Sequence, residues 1–345
     1  MKNVTMRDIG AKLGVSTVTI SKALSGKDGV SDVVREKIIE TAKQMGYHYA
    51  SSAAETDNGA VIGILTPDRS FSAPSFYSDM YRALLRELTD VGMLGVLEIV
   101  SQQDEMAQNM PATMTIQHAN GFVLMGQFSE DYVQAMLDAG HPTVLLDFSF
   151  DGPDVDAVVS DGQSGTFQLT RYLIDRGHKE IGFVGNIHRT SSIMDRYSGY
   201  LRAMTLSGLV ARPEFMFTDT VEKNTYLTDY TWPDPMPTAL VCNNDILALN
   251  IAKILKKRGL RIPEDVSIVG FDDYIGMRES NPFTTYAVDQ QHMAQVTVRR
   301  LQARMRDGME GPLRTSVGGW LVERSSVMDL NTGCVCGTEP ENHNE

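Results

Sequence analysis

The chain has 345 residues, more than one ordinary domain needs, with 42% hydrophobic and 22% charged residues. No apolar run approaches the length that crosses a bilayer, which excludes a helical membrane protein. The net charge of −13 argues against a polyanion-binding surface only if it is spread evenly. It is not: residues 1–50 hold eight Lys/Arg and five Asp/Glu, net +3, which leaves −16 for the rest.

In chain order, Met1–Lys12 is polar and lacks the apolar core of a secretory signal, so the expected location is the cytoplasm. The three cysteines fit a reducing compartment. Thr5 and Asp8 have capping-box spacing, and Ile9 and Leu13 form the stripe of a first helix. Gly14 and Val15 make a short turn, and Ser16 is placed to cap a second helix through Leu24. Ser31 is placed to cap a third, with Val34, Ile38, Ile39 and Ala42 inward, ending near Gly46. A basic unit with two capped helices around a tight turn is the pattern of a helix-turn-helix, whose second helix enters the major groove. Residues 50–59 are small and polar, as in a linker.

From Ala60 the pattern changes to short apolar strands at Val61–Leu65, Gly121–Met125, Thr143–Leu146, Ile181–Val184, Ala239–Cys242 and Val266–Phe271. Amphipathic helices alternate with them at Tyr77–Val91, Ser129–Ala139, Gly162–Arg176, Asp195–Ser207, Asp245–Arg258 and Gln290–Arg306. Continuously apolar strands alternating with helices predict parallel sheets covered on both faces, and their number predicts two doubly wound α/β lobes around a cleft. Ligands in such folds bind beyond the carboxyl ends of the strands. Asp272 follows one strand there, and Asn244 and Asp245 follow another; helix capping is the alternative role for Asp245. The expected divisions are a head over 1–48, a hinge over 49–60, a core over 61–330 and a disordered tail over 331–345.

The run Val4-Thr-Met-Arg-Asp-Ile-Gly-Ala-Lys-Leu-Gly-Val-Ser-Thr-Val-Thr-Ile-Ser-Lys22 resembles the LacI/GalR family of bacterial transcription regulators. Further motifs agree: Gly177-His-Lys-Glu-Ile-Gly-Phe-Val-Gly185, Asp195-Arg-Tyr-Ser-Gly-Tyr200, Cys242-Asn-Asn-Asp245 and Val269-Gly-Phe-Asp-Asp273. The resemblance spans nearly the whole chain. It implies a homodimeric repressor with a periplasmic-binding-protein-like core, binding pseudo-palindromic double-stranded operator DNA. A small effector, expected to be a carbohydrate, would control that affinity.

By that resemblance Thr17, Val18 and Lys22 face the bases, where Lys22 donates to guanine and Val18 touches a thymine methyl. Most relatives carry Arg at the Lys22 position. Thr5, Ser16, Thr19, Ser21, Ser31 and Tyr47 are expected at the phosphates, with helix capping as the alternative for each hydroxyl. The hinge lacks the leucine that relatives wedge into the minor groove, and Glu55 and Asp57 would face phosphates, so a weaker bend, or a hinge that stays disordered, is expected. The effector site is expected to include Phe76 and Tyr77 as stacking platforms, with Asp161, Ser192, Arg196, Asn244 and Asp272 as polar partners. Asp161 is followed by Gly162, where the family usually has Asn.

The sequence shows no phosphate-binding glycine loop, no zinc-protease motif and no hydrolase elbow. Cys334, Cys336 and His343 lack a second ligand pair, so neither metal nor other cofactor is expected. A cytoplasmic sugar-binding protein or sugar enzyme on the same core is the alternative function, but it leaves residues 1–48 unexplained.

Overall fold

The computed structural model describes residues 6–24, 30–45, 59–70, 75–150, 152, 154–218, 220–221, 225–226, 230–273, 279–306 and 311–337. Three helices come first: α1 Met6–Leu13, α2 Thr17–Leu24 and α3 Asp32–Gln44. Gly14, at φ +67°, makes the turn that only glycine enters without strain. The Val15 amide closes it onto the Gly10 carbonyl at 3.1 Å. Ser16 Oγ accepts from the Thr19 amide at 3.1 Å, which starts α2. Ile9, Ile20, Ala23, Ile38 and Ala42 bury the centre of this unit, and Arg35 donates to the Ala23 carbonyl at 3.0 Å, tying α3 to the end of α2.

The first lobe is built from β1 Val61–Pro67, α4 Phe76–Asp90, β2 Leu94–Val100, α5 Gln102–Met106, α6 Ala112–Thr115, β3 Gly121–Met125, α7 Glu130–Asp138, β4 Thr143–Leu146 and β5 Asp156–Ser160. The second contains α8 Gly162–Asp175, β6 Ile181–Val184, α9 Ser191–Leu206, β7 Met216–Phe217, the small hairpin of β8 Thr220–Val221 and β9 Thr225–Tyr226, β10 Ala239–Cys242, α10 Asp245–Lys257, β11 Ser267–Asp272 and β12 Thr284–Ala287. The chain then returns to the first lobe with α11 Gln290–Arg306 and β13 Arg314–Val317, and to the second with β14 Trp320–Val322. It continues into a hairpin of β15 Met328–Asp329 and β16 Cys334–Val335.

One sheet has the order β13-β5-β4-β3-β1-β2 and is parallel throughout. The other has the order β14-β12-β11-β10-β6-β7, with β14 antiparallel to β12. Every residue of β3, β4, β6 and β10 is buried, as strands covered on both faces must be. The two doubly wound lobes expected from the apolar runs are present.

Three chain segments join the lobes and are cross-tied. The Asp161 amide donates to the Val317 carbonyl at 2.9 Å and the Val288 amide to the Asp272 carbonyl at 3.2 Å. The Gly319 amide donates to Tyr286 Oη at 2.7 Å, and a Cβ on Gly319 would stand 1.9 Å from the Ala287 carbonyl oxygen, so glycine alone lets these strands pass.

The strands missed by the sequence reading are of two kinds: β5 and β12 are buried but carry polar residues, as in Asp156 and Ser160 or Thr284 and Thr285, and the others are short, edge or half-exposed. β2 exposes Leu94 and Ile99, so it lacks the continuous apolar signature used to find the others. Helix α9 begins at Ser191 rather than Asp195, because Thr190 Oγ1 accepts from the Ile193 amide at 3.2 Å. The disordered tail expected over 331–345 is corrected for 331–337, where backbone pairing, not apolar content, orders the chain. The β15–β16 hairpin forms there, the Cys336 amide donates to Val327 at 2.8 Å, and Arg176 Nε donates to Cys336 Sγ at 3.0 Å. Residues 338–345 and most of the hinge lie outside the described residues.

Candidate ligand cleft and DNA-reading head

A cavity of about 310 Å³ opens between the lobes at the carboxyl ends of their strands, within the size range of small-molecule sites. The first lobe contributes Arg69 after β1, Phe76 and Tyr77 at the start of α4, Gln127 after β3 and Asp147 after β4. The second contributes Arg189, Thr190, Ser192 and Arg196 around the start of α9, Asn243 and Asn244 after β10, and Asp272 at the end of β11. Gln127 bridges the lobes, its Oε1 accepting from the Ser191 amide at 3.4 Å.

A buried ion pair forms the second-lobe floor. Arg196 donates through Nη1 to the Asn243 carbonyl at 2.6 Å and through Nη2 to Asp272 Oδ1 at 3.1 Å. Its guanidinium carbon lies 4.0 Å from the centre of the Phe271 ring, adding a cation–π contact. Burial pushes the Asp272 acid up to about 7, and the nearby Asp147 adds to this; Arg196 pulls the other way without cancelling it. Behind the pair, burial and then the Asp272 charge push Asp245 up to about 8. Its Oδ2 accepts from the Asp273 amide at 2.9 Å. Asp272 sits at φ +106° and Asp147 at φ +67°, conformations that side-chain-bearing residues rarely adopt and that cluster at functional sites.

Across the cavity Tyr77 Oη donates to Asp147 Oδ2 at 2.9 Å. Asp147 is 5% exposed, and its Oδ1 has no hydrogen-bond partner among the described residues. Burial raises its acid above the usual carboxylate range. A buried carboxylate oxygen without a donor is costly, and a ligand hydroxyl is the group that would satisfy it.

Of the residues expected at an effector site, Phe76, Tyr77, Ser192, Arg196, Asn244 and Asp272 line this cavity. Asn244 also takes up the capping role, its Oδ1 accepting from the Leu247 amide at 2.8 Å. Asp161 is corrected: it does not line the cavity, and its Oδ1 caps α8 by accepting from the Ser164 amide at 2.9 Å. The sequence reading missed Arg69, Gln127, Asp147, Arg189, Thr190 and Asn243. Asp147 directly follows β4 as Asp272 ends β11, so the strand-end rule applied to every strand would have found it.

In the head, Thr17 and Lys22 are exposed on α2, Ser31 is exposed ahead of α3, and Thr19 is half-buried. Ser16 Oγ lies 2.9 Å from Thr19 Oγ1 and also caps α2, which engages its hydroxyl locally. Val18 and Ser21 lie on α2, with side chains outside the described residues, as are Thr5 and Tyr47 altogether.

Residues 5–49 match the family profile described as bacterial regulatory proteins, lacI family, and residues 170–327 match the periplasmic binding protein-like domain. The chain joins a lacI-family head to a periplasmic-binding-protein-like core. Among LacI-family relatives, the HTH-type transcriptional repressor PurR of Vibrio cholerae serotype O1 is 26% identical over 335 residues, covering 94% of this chain and 98% of the relative. Catabolite control protein A of Priestia megaterium is 27% identical over 287 residues, covering 79% and 83%. The solved transcriptional regulator CelR–cellobiose complex superposes with a TM-score of 0.66 at 23% identity, covering 94% of this chain and all of that one. The lac repressor dimer bound to operator and the anti-inducer ONPF does so with a TM-score of 0.63 at 21% identity, covering 94% and 99%. These likenesses carry the fold. The LacI-family head makes this chain a DNA-binding transcriptional regulator and not an enzyme. No helix among the described residues is long and apolar enough to cross a membrane.

Proposed function

We propose that this regulator is a cytoplasmic homodimeric repressor whose grip on a pseudo-palindromic operator is set by a small carbohydrate bound between the lobes. The observation that carries the reading is the cleft itself. Arg196 and Asp272 on one lobe face Tyr77 and the unsatisfied Asp147 oxygen on the other. Carboxylates and amides around a cavity flanked by aromatic rings suit the hydroxyls and apolar faces of a sugar. The titles of two structural neighbours name bound cellobiose and bound ribose, which supports the ligand class. Because residues of both lobes line the cavity, a ligand would favour one relative lobe orientation, and through it the spacing of the two heads. Thr17, Val18 and Lys22 would read bases while Thr5, Ser16, Thr19, Ser21, Ser31 and Tyr47 hold phosphates.

The test is selection of genomic fragments by the full chain, footprinting of the recovered site, and titration with a sugar panel. The expected result is a two-fold symmetric footprint whose affinity responds to one sugar. Arg196→Ala should lose that response and keep operator affinity. Absence of a footprint, or an unchanged response in Arg196→Ala, overturns the reading.

A further inference from the structure

Three guanidinium groups line the cleft, and two have counter-ions. Arg196 faces Asp272, and Arg69 forks onto Glu105 through Nη1 at 2.6 Å and Nη2 at 3.2 Å. Arg189 differs. It is half-buried in the cavity lining, and its guanidinium meets no carboxylate and no hydrogen-bond acceptor among the described residues. Its backbone amide donates to the Asn186 carbonyl at 3.1 Å.

The carboxylates of the lining do not serve Arg189: Asp272 is paired with Arg196, and Asp147 holds Tyr77. Arg189 immediately precedes Thr190, the cap of the 16-residue α9, and Thr190, Ser192 and Ile193 line the same cavity. The positive end of that helix and an uncompensated guanidinium therefore share one side of the cleft. Elsewhere in the lining lies Asp147 Oδ1, without a partner among the described residues, on a residue that is 95% buried and whose other oxygen accepts a hydrogen bond from a hydroxyl.

A neutral sugar would satisfy Asp147 and leave Arg189 without a counter-charge. A bare anion would satisfy Arg189 and leave Asp147 orphaned. We infer that the effector is an anionic sugar, a phosphate ester or a sugar acid, with its hydroxyls on Asp147 and Asp272 and its anionic group on Arg189. Arg is suited to this because its planar fork matches phosphate and carboxylate oxygens bidentately. The inference rests on the reading of the cleft as the effector site.

Isothermal titration of the full-length protein with matched pairs tests it: glucose and glucose 6-phosphate, ribose and ribose 5-phosphate, glucose and gluconate, with inorganic phosphate as the anion lacking hydroxyls. In at least one pair the anionic member should bind tenfold or more tightly than its neutral twin. Arg189→Gln should bring that member to within about threefold of the twin. Asp147→Asn should weaken both members together. Equal affinity for the twins, or an anionic advantage that survives Arg189→Gln, overturns the inference, as does inorganic phosphate binding as tightly as the sugar phosphate. A neutral sugar that releases operator, with its response lost in Arg196→Ala, would keep the effector reading and sink only the anionic one. Binding by no member of any pair sinks the anionic inference, while the footprint and operator response judge the effector reading separately.

Discussion

Replacing Asp272 by Asn removes one buried charge while keeping the side-chain shape and an acceptor for Arg196. The acid of Asp272 stands at about 7 in the folded chain, against roughly 3.9 in an unfolded one. Below about pH 4 both states hold the proton and folding carries no penalty from this group. Between about pH 4 and 7 the unfolded chain ionises freely while the folded one resists, so stability falls as pH rises; above about pH 7 the loss is complete. At about 1.4 kcal/mol for each pH unit, the full loss is about 4 kcal/mol. About 2.5 kcal/mol of that loss falls between pH 5 and pH 7.5, and with about 2 °C in melting temperature for each kcal/mol in a core of this size, the Asn variant should gain about 5 °C on the parent over that interval. Any pH-independent cost of leaving Arg196 without its counter-charge shifts the whole curve and so leaves this slope difference standing. The assay is a thermal melt of both full-length proteins at half-unit pH steps. A gap that stays constant within about 2 °C would refute the reasoning and return Asp272 to an ordinary solvated carboxylate.

Asp156, fully buried, accepts from Arg300 Nη2 at 3.0 Å, from Arg304 Nε at 2.8 Å and from the Leu313 amide at 2.7 Å, and so ties α11 to the first sheet. Asp156→Ala should cost about 3–5 kcal/mol by leaving two part-buried guanidinium groups uncompensated, read as an earlier urea midpoint for the core; a change under about 1 kcal/mol would show the network to be dispensable. Operator affinity should fall steeply with salt, and Lys22→Ala should lower the magnitude of the log–log slope by less than one if Lys22 reads a base but by about one if it holds a phosphate; a salt-independent affinity would remove DNA from the account. Ser75 and Ser78 form a reciprocal capping box at the start of α4, so Ser75→Ala should destabilise the first lobe by about 1 kcal/mol in the same urea titration.

Local rules made much of this molecule legible before any coordinates. Capping hydroxyls and a glycine turn marked the three head helices, because those signals act within four residues. Buried parallel strands announced themselves as apolar runs, since both of their faces are covered. The strand-end position of Asp272 and the helix-start position of Arg196 followed from the same reading, aided by the family resemblance. Edge strands such as β2 stayed hidden because one side of them meets water and the apolar run breaks.

Only the tertiary structure decided which polar residues share the cleft. Asp161 and Asn244 look alike in sequence, each just past an apolar strand. Yet the first caps its own helix through Oδ1 and lies outside the cavity lining, while the second caps and still lines the cavity. Arg69 and Arg189 look alike too, and among the described residues the fold brings Glu105 to one and no carboxylate to the other. Local sequence sets which groups a segment offers; which of them are left without a partner depends on contacts between residues far apart in the chain, and those exist only once each lobe has folded and the two face each other across the cleft.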